Sequence, residues 1–416
     1  MSERFKQRRI VLDKDSSTGQ LKVSTLFSLL EKHPYQKEIA EAFAIEDIKN
    51  EVISVDYIDT VYHRISFFIK NYERFSAFVQ SKNITVTESV LPVEDLPERT
   101  LIFNFKEYVE IDGAVGKDLS CFAIYNAKNT FFDTYDMAKY ANRLYKDGLG
   151  ELAYQNIEYF KDLAKTKPGF NRHRSFRLIK NKGEIFLRGI TSTDRYFEYG
   201  VDFTFVISML ILHRDMKNNA GNNYAISTAA VSESKLELIV AEKHLKDAGE
   251  FGKVSSAVEI TTNDLGEGSL NFTKIIKVGG RFQHGIYLFP SANEDKQNSI
   301  VISHSKKPAT VIANVNQVYE LLNNTDDYIN DLLTVKSIKT PDELRTRIIN
   351  KLTSPRSAFK DIHDLRDIFK TRIDNEISSF AKLLAMCNKA EELDIDYDLK
   401  DKLRYIISDI ILSNKK

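Results

Sequence analysis

The 416-residue chain has no tryptophan, only two cysteines and eight prolines, and no excess of either charge. Each shortage removes a class of protein. Cys121 and Cys387 are too few for a disulfide framework and form no Cys-x-x-Cys or Cys/His zinc spacing, so a reducing, cytoplasmic setting is expected. Eight prolines and 17 glycines exclude a collagen-like or linker-rich chain. The 59 basic and 59 acidic side chains cancel, so nothing steers the whole surface toward a polyanion, and any such binding requires a local patch. Long apolar runs are also missing. The most apolar stretch, Val201 to Leu212, falls short of the roughly 20 residues that span a bilayer, and the polar first twenty residues hold no signal-peptide core. No membrane partner is expected.

What is present is 42% apolar residues in a chain long enough for more than one core. Three regions follow from the texture. Residues 1–82 read as helical, with Val55, Ile58, Val61, Tyr62, Ile65, Phe68, Ile69, Tyr72 and Phe75 at three- and four-residue steps. Residues 83–310 read as a central α+β domain. There, β-rich runs (Leu101–Phe105, Cys121–Tyr125, Arg177–Lys180, Glu184–Arg188, and later runs near Tyr224–Val231 and Leu270–Val278) suggest a mainly antiparallel sheet. The Asn181-Lys182-Gly183 sequence predicts a hairpin turn. Residues 311–416 read as a helical bundle, with Pro341-Asp342-Glu343 as a first turn and an apolar stripe from Ile362 to Leu384. That stripe serves internal packing or, on a second reading, a homo-oligomer. The fold class is α+β, with helical regions at both ends of the chain.

Catalytic motifs fail on inspection. His213-Arg214-Asp215 has the letters of a kinase catalytic loop, but Ala220 stands where the metal-binding Asn belongs. Gly266-Glu267-Gly268-Ser269 lacks the lysine of a phosphate-binding loop, and the eight histidines form no metal spacing, so no cofactor or metal is expected. Asp112, Asp118 and Lys128 are the best set for a metal-dependent nuclease, without a motif to join them. One local signal rises above the background. Lys165, Lys167, Arg172, Arg174, Arg177, Lys180, Lys182 and Arg188 crowd together with Glu184 as the lone acid, and Phe170, Phe176 and Phe186 lie between them. Such a run can track phosphates while a ring such as Phe170 stacks on a base. The competing reading is a solvated strand face with Phe176 and Phe186 turned into the core.

The order Phe186-Leu187-Arg188-Gly189, then Thr193-Asp194-Arg195-Tyr196, an apolar helix, and Asn263-Asp264-Leu265-Gly266-Glu267-Gly268-Ser269-Leu270 resembles the phage/plasmid-like proteins of unknown function carried by prophages and conjugative elements. The resemblance covers the central region only, and Val278-Gly279-Gly280-Arg281 replaces the Cys-x-Asn-Gly of that pattern. It implies a mobile-element setting and assigns no catalytic residue. The expected function is a non-catalytic accessory protein binding DNA or RNA, single-stranded by preference, through the basic run. The alternatives are a protein-interaction factor in host takeover, phage defence or anti-defence that assembles through its tail, and a metal-dependent nuclease.

Overall fold

A computed structural model describes residues 3–88, 100–111, 113–167, 173–193, 195–266, 268–279, 286–289, 298–315, 317–318, 321, 330, 332, 334, 339–370 and 377–412. The α+β class holds: two sheets alternate with helices, and the tail is helical. The strands are β1 (Arg8–Arg9), β2 (Gln20–Lys22), β3 (Val52–Asp56), β4 (Glu73–Gln80), β5 (Ile84–Glu88), β6 (Leu101–Glu110), β7 (Val115–Ala123), β8 (His173–Asn181) and β9 (Glu184–Thr191). They continue as β10 (Tyr224–Val231), β11 (Lys235–Glu242), β12 (Lys246–Asp247), β13 (Lys253–Asn263), β14 (Leu270–Val278), β15 (Ile286–Leu288) and β16 (Ser299–Ile302).

The helical reading of the first 82 residues is only half right. The apolar stripe forms the helix Ile58–Asn71, but strands β3 and β4 flank it. Val52 to Val55 alternate exposed and buried, the period-two pattern of a strand, and Tyr57 in the left-handed region breaks the chain before the helix starts. The three-residue rhythm conceals these short strands because they abut a strong amphipathic helix.

The smaller sheet closes on itself. β4 pairs with β8, β8 with β9, β9 with β7 in parallel, β7 with β6, and β6 back with β4. β5 continues the bent course of β4 after the turn Ser81–Asn83 and stays paired to β6. Counting β4–β5 as one strand, the ring order is first, second, third, fifth, fourth. The third and fifth strands are parallel, and helices Ala127–Asp133, Ala138–Lys146 and Gly150–Thr166 lie between the third and fourth. This is the connectivity of an OB-type Greek-key barrel. Phe103, Phe105, Leu119, Cys121, Phe176, Leu178 and Leu187 fill it, and Phe105 meets Phe176 at 4.8 Å between ring centroids. The expected boundary at residue 82 therefore falls inside the barrel's first strand.

The larger sheet runs β15-β14-β13-β11-β10-β3-β2 and receives the chain on both sides of the barrel. Its central helix (Gly200–Asn218) is largely apolar and buried from Gly200 to His213, as a helix enclosed by protein must be. The short helices before residue 72 pack with this helix on one side of the sheet. The tail helices Pro341–Thr353, His363–Phe369, Phe380–Glu392 and Tyr397–Leu412 pack beside its other end. Thr340 caps the first of these, accepting from the Glu343 amide at 3.3 Å, with Pro341 in the first turn. Leu365, Phe369, Phe380, Leu383 and Leu384 are buried with Phe251, Val254 and Ile276, so these residues of the tail stripe are covered by the chain itself.

Candidate functional site

The predicted hairpin forms as β8–β9. Lys182 and Gly183 both take positive φ, 52° and 83°, as a two-residue turn that follows strand twist requires. The strands, however, divide the basic run between faces. Lys180 and Lys182 are exposed at the turn, with Lys180 3.9 Å from Glu73. Arg174 is half-buried and donates to the His173 carbonyl at 3.3 Å. Lys165, paired with Asp162 at 2.7 Å, and Lys167 are exposed at the end of the preceding helix. Phe170 and Arg172 lie outside the described residues. Phe176 and Phe186 are core residues.

Arg177 and Arg188 overturn the expectation of one exposed stripe: they are 5% and 0% exposed. Arg177 donates to Ser76 Oγ at 2.8 Å, Thr191 Oγ1 at 3.1 Å and Glu198 Oε2 at 3.2 Å. Arg188 donates to Ser234 Oγ at 3.0 Å and to Glu198 Oε1. The physical reason is local. Between Arg177 and Leu178 the β8–β9 register slips by one, so Arg188 is the extra residue of a bulge. A bulge re-aims its side chain, here into the seam between barrel and large sheet.

That seam is a balanced junction of charges. Arg74 donates to Asp202 Oδ2 at 2.6 Å beside the Arg188–Glu198–Arg177 bridge. Burial alone would raise the Glu198 carboxyl, but Arg188, Arg177 and Arg74 outweigh it and hold it at about 2. Asp264 is pushed upward, by burial first, against the pull of His304 and Arg188. His304 Nδ1 lies 2.8 Å from the Phe197 carbonyl and 3.7 Å from Asp264 Oδ1, and its ring stacks on Tyr196 at 4.7 Å. Both Asp264 oxygens, the Tyr196 hydroxyl and His304 Nε2 are buried without a hydrogen-bond partner among the described residues. The two segments behind the family resemblance meet here: a Cβ on Gly189 would come within 2.5 Å of the Leu265 carbonyl oxygen. Sequence reasoning left Glu198, Asp202, Asp264 and His304 unassigned. Only the position of Asp264 in the second motif pointed toward the seam. Asp194 lies outside the described residues.

The nuclease candidates are not drawn into this junction. Asp118 is exposed on β7, Lys128 covers the Tyr145 ring at 4.1 Å, and Asp112 lies outside the described residues. The kinase-like letters are structural: His213 pairs with Glu51 at 2.8 Å, and Asp215 accepts from Tyr224 at 2.5 Å.

An open surface remains on the outward face of β6–β7. Register aligns Asn104 with Ser120 and Tyr108 with Gly116, so Asn104, Lys106, Tyr108 and Ser120 share that face, while Phe122 farther along it packs against the core of the large sheet. Ser120 Oγ donates to Asn104 Oδ1 at 2.6 Å. Tyr108 lies flat over Gly116, where a Cβ would meet the ring. The parallel pairing of Phe122 and Ala123 with Phe186 and Leu187 sets β9, the strand after the Lys182 turn, next to β7. Tyr108 and exposed Lys106 lie on this face, with exposed Lys180 and Lys182 at the tip of the β8–β9 hairpin. No protein-family model matches the chain, and no curated protein or solved structure is significantly similar to it.

Proposed function

We propose that this chain binds single-stranded nucleic acid on the β6–β7 face of its barrel, as an accessory protein of a phage or other mobile element. The observation that carries the reading is the barrel's connectivity. In OB-type barrels the face of the second and third strands, with the loops joining first to second and fourth to fifth, receives oligonucleotides. Here those strands are β6 and β7, and the fourth-to-fifth loop is the turn carrying Lys182. Lys106, Lys180 and Lys182 supply phosphate contacts, and Tyr108 a stacking ring. The mobile-element setting rests on the resemblance of the central segments alone.

The exposed lysines replace the buried arginines as the residues to test, because reversing Arg177 or Arg188 would break the junction whatever the protein binds. Fluorescence anisotropy of a labelled oligo-dT and its RNA counterpart, titrated at low and raised salt, is the assay. Lys180→Glu with Lys182→Glu should weaken binding about tenfold or more and flatten its salt dependence. Tyr108→Ala should cost about 1–3 kcal/mol of affinity. Both variants should unfold like the parent. Binding that ignores all three substitutions, or no binding at low salt, would refute the proposal.

A further inference from the structure

We propose that Ser227 and Lys277 form a nucleophile–base pair, making the β10–β14 part of the large sheet an acyl-transfer site for carboxylic esters. The proposal concerns a second site, remote from β6–β7, and stands independently of nucleic-acid binding.

Ser227 has an unusual place in its strand. The β10–β11 register runs regularly to Ile226 opposite Val240 and resumes with Thr228 opposite Ile239, so Ser227 is the unpaired residue of a bulge. Such a residue is freed from the ladder and its side chain re-aimed. Lys277 reaches it from β14, with Nζ 2.9 Å from the Ser227 Oγ. The lysine stem has a cleared path. Ala225, Ala241 and Ala257 stand opposite one another across β10, β11 and β13, leaving a row of methyl groups on the face that Lys277 shares with Tyr287. Ser227 and Lys277 are both half-buried, so each keeps some contact with solvent.

The chemistry of the pair differs from that of an ordinary surface lysine. Among the described residues no carboxylate lies within ion-pairing distance of Lys277, and its partial removal from water lowers its pKa. Its neutral amine is the form able to accept a proton from Ser227. A serine beside a lysine general base is an established alternative to the serine–histidine arrangement. In the first step the Ser227 oxygen bonds to the ester carbonyl carbon while its proton passes to Lys277 Nζ. The tetrahedral intermediate then collapses, the carbon–alkoxide bond breaks, and Lys277 returns the proton to the leaving alcohol. Water, deprotonated by the same amine, attacks the acyl-serine, and its proton passes back to the Ser227 oxygen as the acid departs. Ala241, Ala257 and Phe289 form the buried apolar floor beside the pair, and the Tyr287 hydroxyl hydrogen-bonds Ser227 as a second polar group at the site.

The test uses the full chain with p-nitrophenyl acetate and with a fluorophosphonate probe. Mass spectrometry should place the phosphonate on Ser227, and ester hydrolysis should rise with pH as Lys277 loses its proton. Ser227→Ala and Lys277→Met should each lower hydrolysis about 100-fold, within the range that general-base catalysis contributes. Ser227→Ala should stay folded and keep oligonucleotide binding, with a small drop in melting temperature from the lost Tyr287 hydrogen bond, so a folding defect in the lysine variant would not obscure the answer. Hydrolysis unchanged in Ser227→Ala, or a probe that leaves Ser227 unmodified in the folded protein, would overturn the assignment.

Discussion

Replacing Glu198 by Gln probes the junction that docks the barrel onto the large sheet. The side chain keeps its shape but loses the charge that holds Arg188, Arg177 and Arg74. A carboxyl at about 2, against its ordinary 4.5, contributes about 3 kcal/mol at neutral pH. That agrees with the cost of about 3–5 kcal/mol for removing one partner from a buried ion pair. The sign follows from the depressed value. The contribution is complete well above 4.5, declines as the unfolded chain takes up its proton, and vanishes as pH falls through about 2. At pH 3 about 1.4 kcal/mol should remain. With no tryptophan in the chain, urea unfolding is followed by far-ultraviolet circular dichroism and tyrosine emission. Glu198→Gln should lose about 3 kcal/mol at pH 7 and less than half of that at pH 3. A loss under about 1 kcal/mol at pH 7, or one that does not change with pH, would refute the account of the junction.

Two further expectations concern stability. Arg404 gathers Glu237 at 2.6 Å and Asp401 at 3.1 Å, with Glu259 at 3.7 Å, and burial pushes Glu259 well upward. A raised carboxyl costs stability as pH climbs above its ordinary value, so Glu259→Gln should raise the melting temperature at pH 7. That gain should disappear below about pH 4, and an unchanged or lower melting temperature at pH 7 would contradict it. Gly189→Ala places a methyl group against the Leu265 backbone and should cost about 1–3 kcal/mol by thermal melting, whereas a silent substitution would deny the close approach.

Much of the chain was legible from periodicity and turn chemistry. The strands Tyr224–Val231 and Leu270–Val278 and the hairpin around Lys182–Gly183 lie where alternation and the Asn-Lys-Gly turn put them. The apolar run from Val201 is the central helix. Barrel closure was hidden because β4 and β8 pair across nearly a hundred residues of chain, a separation no local pattern records. The direction of Arg188 was hidden too: alternation assigns faces, and a one-residue bulge reverses them. The tail shows the same limit. An apolar stripe announces that something covers it without saying whether that is the chain itself, and here it is Phe251, Val254 and their neighbours. Composition counts cations and cannot say whether a charged run forms one surface or is split between faces. Structure separates the two that balance Glu198 from those that meet solvent.

Photocrosslinking of a 4-thiothymidine oligonucleotide to the full chain, followed by peptide mass spectrometry, tests the functional reading most directly. Crosslinks confined to residues 101–123 and 180–184 are the expected result. Crosslinks spread over the tail or the large sheet, or none at concentrations where binding is saturated, would contradict it.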